Sequence, residues 1–125
     1  MQTYVIRRPS AWAGLPDLEV AGAKSARIGN DEMSDRVRWI RSYVVHEQDG
    51  RIGTFCIYQA RDPESIREHA RRVGMPGDEF YPVATTVVVC PDPVPAKAAG
   101  VWYASEEWGL AVLKSCLHSA MALRA

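Results

Sequence analysis

The segment from Asp62 to Pro76 most constrains what this chain can fold into, because it is punctuated as a helix at both ends. In Asp62-Pro63-Glu64-Ser65-Ile66-Arg67-Glu68-His69-Ala70-Arg71-Arg72-Val73-Gly74-Met75-Pro76, Asp62 can cap a helix and Pro63 suits its first position. Early acids and late arginines agree with the helix dipole. Gly74 can take the left-handed conformation that ends a helix, and Pro76 prevents a restart. Ile66, His69, Ala70 and Val73 fall at the i, i+3, i+4, i+7 positions and so form the inward face.

The rest of the order is read around that helix. Thr3 to Arg7 is a short β-rich run that Pro9 should end. Leu15 to Ile28 has Leu18, Ala21, Ser25 and Ile28 at helical spacing, with Asp17 as its cap and Gly29-Asn30-Asp31 as its stop. Gly22 weakens that helix by about 1 kcal/mol relative to alanine. Arg38 to His46 reads as a strand with Trp39, Tyr43 and Val45 on one face and Ile40 and Val44 on the other. Asp49-Gly50 is a hairpin turn, since both residues tolerate positive φ. The returning strand, Ile52 to Ala60, sets Cys56 and Tyr58 on one face and Phe55 and Ile57 on the other. After the Asp62–Gly74 helix, Val83 to Cys90 supplies a last strand, and Pro91, Pro93 and Pro95 make a stiff linker.

Strand, helix, strand, strand, helix, strand predicts two crossovers of one hand that share a hairpin. The fold class is therefore α+β, a ferredoxin-like βαββαβ unit with a four-stranded antiparallel sheet and two helices on one face. Residues 1–95 should form that domain. Residues 96–125 should be linker and a C-terminal helix, Ser105 to Leu123, whose stripe of Trp108, Val112, Leu113, Leu117, Ala120 and Met121 needs a surface to cover. The uncovered sheet face offers one, and a second subunit's sheet competes for it.

Composition excludes several classes of function. Lysine plus arginine and aspartate plus glutamate both number 15 in the 125 residues, which gives none of the basic excess that nucleic-acid binding uses. No apolar run is long enough for a membrane span, and the N-terminus lacks the order of a signal peptide. Three scattered cysteines do not make a disulfide framework. The expectation is a cytoplasmic protein with reduced thiols.

There is no Walker loop, dinucleotide fingerprint, nucleophile elbow or Cys-x-x-Cys, so catalysis has no motif behind it. His69 is the residue that stands out, because an inward imidazole must satisfy two ring nitrogens in an apolar setting. It is either a core histidine bonded to a carbonyl or tyrosine, or a ligand; Cys56 and Tyr58 could meet it if their face is the helix-covered one. Glu68 is expected to pair with Arg72 four residues on. His46 ends its strand beside the turn and should be exposed. Cys116 and His118 are two apart on a predicted helix and do not form a chelating pair.

Taken together, Trp39-Ile40-Arg41-Ser42-Tyr43-Val44, Cys56-Ile57-Tyr58-Gln59-Ala60 and Ile66 to Pro76 resemble a family of small bacterial ferredoxin-like proteins catalogued as a domain of unknown function. Its pattern is Trp, Ser-Tyr-Val, Cys-x-Tyr-x-Ala, Arg-Glu-His-Ala and Gly-x-Pro in that order. The resemblance spans roughly residues 3–93, a stretch set by the element count. It implies a homodimer and a member that binds nickel. Carried over by motif, the candidate metal positions are Cys56, Tyr58, Glu68 and His69, with nickel or another divalent transition metal as the cofactor. Imidazole and carboxylate suit nickel, and one thiolate would also suit zinc or copper. The leading expectation is a metal-binding protein without catalysis. A second is a small dimeric α/β-barrel enzyme, a monooxygenase or isomerase with a pocket lined by Trp39, Tyr43, Tyr58 and His69. A third is an interaction module using the C-terminal helix.

Overall fold

In a computed structural model that describes residues 1–90, alternation along the first strand decides which side of the sheet becomes the interior. β1 (Gln2–Trp12) buries Tyr4, Ile6 and Arg8 and leaves Thr3, Val5 and Arg7 on the opposite face. α1 (Leu15–Asp31) follows, then β2 (Val37–His46), β3 (Ile52–Ala60), α2 (Pro63–Val73) and β4 (Phe80–Pro82). The sheet order is β2-β3-β1-β4 with every neighbour antiparallel, the ferredoxin-like arrangement the element order predicts. The chain divides into compact units at 1–86 and 87–125. The proline linker and the Ser105–Leu123 helix lie outside the described residues. Among the described residues no helix is long and apolar enough to cross a membrane.

Both helices lie on the face carrying Tyr4, Ile6, Cys56 and Tyr58. α1 buries Leu18, Gly22, Ser25 and Ile28, and α2 buries Ser65, Ile66, His69, Ala70 and Val73. The main core joins Tyr4, Ile6, Ile28, Met33, Tyr58 and Ile66 among others. A smaller one, of Trp12, Leu18 and Ile52, sits at the far end of β1. α2 forms as its sequence demands. Asp62 is extended and its Oδ1 accepts from the Ser65 amide at 2.8 Å, and Gly74 ends the helix at φ 83°.

Four boundaries differ from the sequence expectation, each for a tertiary reason. β1 does not stop at Pro9. It runs through a bulge between Arg8 and Trp12, with Ser10 at φ 49°, so that Trp12 pairs with Ile52 and reaches the smaller core. α1 is capped by extended Gly14, with Asp17 inside the first turn. It also passes Gly29 and ends at Asp31, because the extra turn delivers Met33 and Val37 to the core through Met33 N–Ile28 O (3.1 Å) and Val37 N–Met33 O (2.9 Å) bonds.

In β2, Trp39 pairs with Tyr58 and Arg41 with Ile57, so Ile40 is bulged out. The bulge reverses the phase. Trp39 faces the helices, whereas Tyr43 and Val45 face the other way, which corrects the shared face expected for the three. Finally, β4 is Phe80–Pro82 and not Val83–Cys90. Phe80 is anchored edge-on against Tyr4 at 5.8 Å, and this sets Ile6 opposite Phe80. Past that register Val83 still donates to Thr3 O, but Val87, Val88 and Val89 pair with no strand among the described residues and are exposed.

Candidate functional site

The interior contains a line of polar side chains running from β1 to α2, placed there by strand alternation and helical spacing. Arg8 on β1, Thr54, Cys56 and Tyr58 on β3, Ser25 on α1 and His69 on α2 are all buried. Thr54 is opposite Arg8 in the pairing, and Cys56 and Tyr58 follow at alternate positions.

Each group has identifiable partners. The Tyr58 hydroxyl and Ser25 Oγ are 3.0 Å apart, and the Tyr58 ring is stacked by Trp39 at 6.1 Å between centroids. His69 lies tilted against the same ring, 5.5 Å between centroids. Its Nε2 is 3.1 Å from the Ser25 carbonyl. A carbonyl only accepts, so Nε2 carries the proton and, in the neutral ring, Nδ1 holds the lone pair. Cys56 Sγ donates to Thr54 Oγ1 at 3.2 Å and accepts from Arg8 Nη1 at 3.1 Å. Arg8 Nε donates to the Pro76 carbonyl at 2.5 Å.

Burial governs the protonation states. It is the main reason the His69 pKa lies below the ordinary imidazole value; the Arg8 and Arg72 charges push the same way, and the bond to the Ser25 carbonyl opposes them. Burial likewise raises the Tyr58 phenol well above its usual range, with Arg8 opposing. The interior therefore holds a neutral imidazole and a neutral phenol beside a guanidinium that stays charged at any working pH.

Of the residues singled out from sequence, the structure brings Cys56, Tyr58 and His69 into this line and stacks Trp39 onto it. It separates Glu68 and Tyr43. Glu68 lies at the edge of the helix layer, where Arg36 and Arg72 clamp it; their hydrogen bonds, Arg36 first, hold its carboxyl below the usual range. Tyr43 is on the opposite sheet face, so the pocket of Trp39, Tyr43, Tyr58 and His69 is not assembled, and Trp39 fills the space against Tyr58. His46 is exposed at the end of β2.

These residues do not fit a nickel ion inside one subunit. Among the described residues no three of His, Cys, Asp and Glu come together. A divalent ion at Cys56 would also lie near the Arg8 guanidinium. Repulsion between unit charges is on the order of 4 kcal/mol at 4 Å near a protein surface, and a double charge doubles it.

Arg8 is the residue that sequence reasoning missed. Ending the strand at Pro9 hid it, yet the alternation Tyr4, Ile6, Arg8 was the signal that puts its side chain inside.

The model of the family described as nickel responsive protein SCO4226-like matches residues 4–83, a stretch that contains the candidate metal residues Cys56, Tyr58, Glu68 and His69 together with Trp39 and Tyr43. A solved structure, the crystal structure of SCO4226 from Streptomyces coelicolor A3(2), is similar at a TM-score of 0.55 and 16% identity. The likeness covers 68% of this chain and 99% of that one. At that identity it bears on the fold. No curated protein matches the chain.

Proposed function

Because this chain belongs to the nickel-responsive SCO4226-like family, we propose that it works by binding a divalent transition metal, nickel first, with ligands gathered outside the packed interior and doubled in a homodimer. The family match over residues 4–83 carries the metal part of this reading. The committed state of the interior donors supports the second part: Cys56 is held by Arg8 and Thr54, His69 by Ser25, and Glu68 by two arginines. A twofold axis turns each surface donor into two, which is how a chain with three histidines can still complete a coordination shell. The sheet face opposite the helices supports self-association, since Tyr43, Phe55 and Tyr81 all lie exposed on it beside Val5 and Ile57. The location that suits Cys56 and Cys90, both free thiols among the described residues, is the cytoplasm.

The test is calorimetric titration of the full chain with nickel and with zinc, comparing wild type with His46→Ala, His69→Ala and His118→Ala. The expected result is nickel binding that falls at least tenfold with His46→Ala or His118→Ala and stays within about twofold with His69→Ala, a tenfold change being 1.4 kcal/mol. Wild-type protein that binds neither metal would overturn the reading. Loss confined to His69→Ala would move the site back into the interior.

A further inference from the structure

The interior contains one charge that metal binding does not use. Arg8 is 1% exposed, yet among the described residues no carboxylate lies in ion-pair range of it, whereas Arg7 and Arg36 each have one and Arg72 has two. Two of its nitrogens are engaged, Nε with the Pro76 carbonyl and Nη1 with a sulfur, which is a weak acceptor. The third, Nη2, is buried and has no hydrogen-bond partner among the described residues. Buried charges in proteins are normally paired, because an unpaired one costs several kcal/mol. Arg8 is not adrift. Its two bonds and the Tyr58 ring, 5.9 Å away at the centroid, hold the guanidinium in place and leave Nη2 without a hydrogen-bond acceptor among the described residues.

The Pro76 carbonyl that holds Arg8 belongs to the segment between α2 and β4. The same segment walls a hollow of about 220 Å³, lined by Met75, Pro76, Gly77 and the carboxylate Asp78 together with Arg67, Ala70 and Arg71 of α2. Two glycines flank the proline: Gly74 in the left-handed conformation, and Gly77, where an added Cβ would land on that of Ala70. The hollow and the guanidinium thus share Pro76, the hollow's two arginines share the single carboxylate of Glu64, and the glycines are where the segment can bend.

We propose that Arg8 is the receptor for a small oxyanion, of the carboxylate or inorganic phosphate class, which enters from the hollow as the Met75–Gly77 segment shifts and pairs with Nη2. The anion supplies the charge that the described residues around Arg8 lack, and on the way in it competes with Glu64 for Arg67 and Arg71 and passes Asp78. Its arrival offsets the Arg8 field at His69, one of the influences that keep that imidazole neutral. The inference does not depend on nickel binding and is tested without metal.

Metal-free full chain is titrated with sodium phosphate and, separately, sodium acetate at constant ionic strength, following the melting temperature and the His69 ring signals by NMR. The expected result with at least one of the two anions is a saturable rise of about 5 °C at ten times Kd, with His69 titrating at higher pH. Arg8→Met removes both effects, and the Arg67→Ala/Arg71→Ala double variant weakens the anion severalfold. No saturable response of the wild type to either anion overturns the proposal. So does an equal response in Arg8→Met, which would assign the binding to the surface arginines. If Arg8→Met does not fold, the wild-type His69 signal decides: an unmoved titration curve overturns the proposal and an upward shift supports it.

Discussion

His69 carries a proton balance that stability measurements can read. Its pKa is 6.5 in an ordinary setting and lower in the fold. Between the folded and unfolded values the unfolded chain binds the extra proton, so stability rises with pH across that window. The contribution is complete above about pH 6.5 and is lost as pH falls through the folded pKa. The urea midpoint should therefore fall between pH 7 and 5.5, and His69→Gln should flatten that slope. A wild-type profile already flat over this range would contradict the assignment. The clamped carboxylates act lower. Glu68 and Asp62 have depressed pKa values, so their contribution is lost only as pH falls below the ordinary carboxylate range. At the same scale, Gly53 has no room for a side chain. An added Cβ would lie 2.6 Å from the Arg8 carbonyl oxygen and 2.5 Å from Glu47 Oε1. Gly53→Ala should destabilise by about 1–3 kcal/mol, measured as a lower urea midpoint with unchanged slope.

Among the elements, α2 is the one whose stability is set locally. Asp62 Oδ1 accepts both the amide and the hydroxyl of Ser65, at 2.8 and 2.6 Å. Asp62→Ala should cost about 1 kcal/mol in chemical denaturation, and Asp62→Asn should recover most of it. An unchanged midpoint for Asp62→Ala would mean that packing alone holds the helix start. β1 and β4 behave differently, because their extent is decided by what they pair with. β1 tolerates Pro9 and an αL serine, Ser10, since the bulge still brings Trp12 into the smaller core. β4 is three residues long for the opposite reason, namely that it pairs with β1 only at Tyr4, Val5 and Ile6.

For the whole molecule, the sheet has one covered face and one that carries Tyr43 and Phe55 at 53% and 40% exposure. If two copies meet there, Phe55→Glu should shift the sedimentation profile of the full chain from dimer to monomer, while Tyr43→Phe leaves it unchanged. A wild type that sediments as a monomer at micromolar concentration would remove the homodimer from the functional reading. Phe55 is also covered by the Arg7 guanidinium at 4.5 Å, and Arg7 is in turn held by Glu47 at 2.6 Å. The charge on this face is therefore tied down beside its aromatic groups.

The amino-acid sequence by itself determined the order of elements, the limits of α2 and the inward position of His69. Those features depend on contacts within a few residues: a cap, a left-handed glycine, a helical repeat. It also contained the motif of Cys56, Tyr58 and His69 on which the family resemblance rests. Tertiary structure alone decided that Cys56 and Tyr58 lie on the helix-covered face, because alternation fixes two faces without naming them. It also decided that Tyr43 parts from Trp39, through a one-residue bulge that no local signal marks. Glu68 left the candidate site for Arg36, 32 residues away in sequence. Arg8 entered it because burial of β1 past Pro9 is stabilised by a core at the strand's far end, a contact that exists only once the chain has folded.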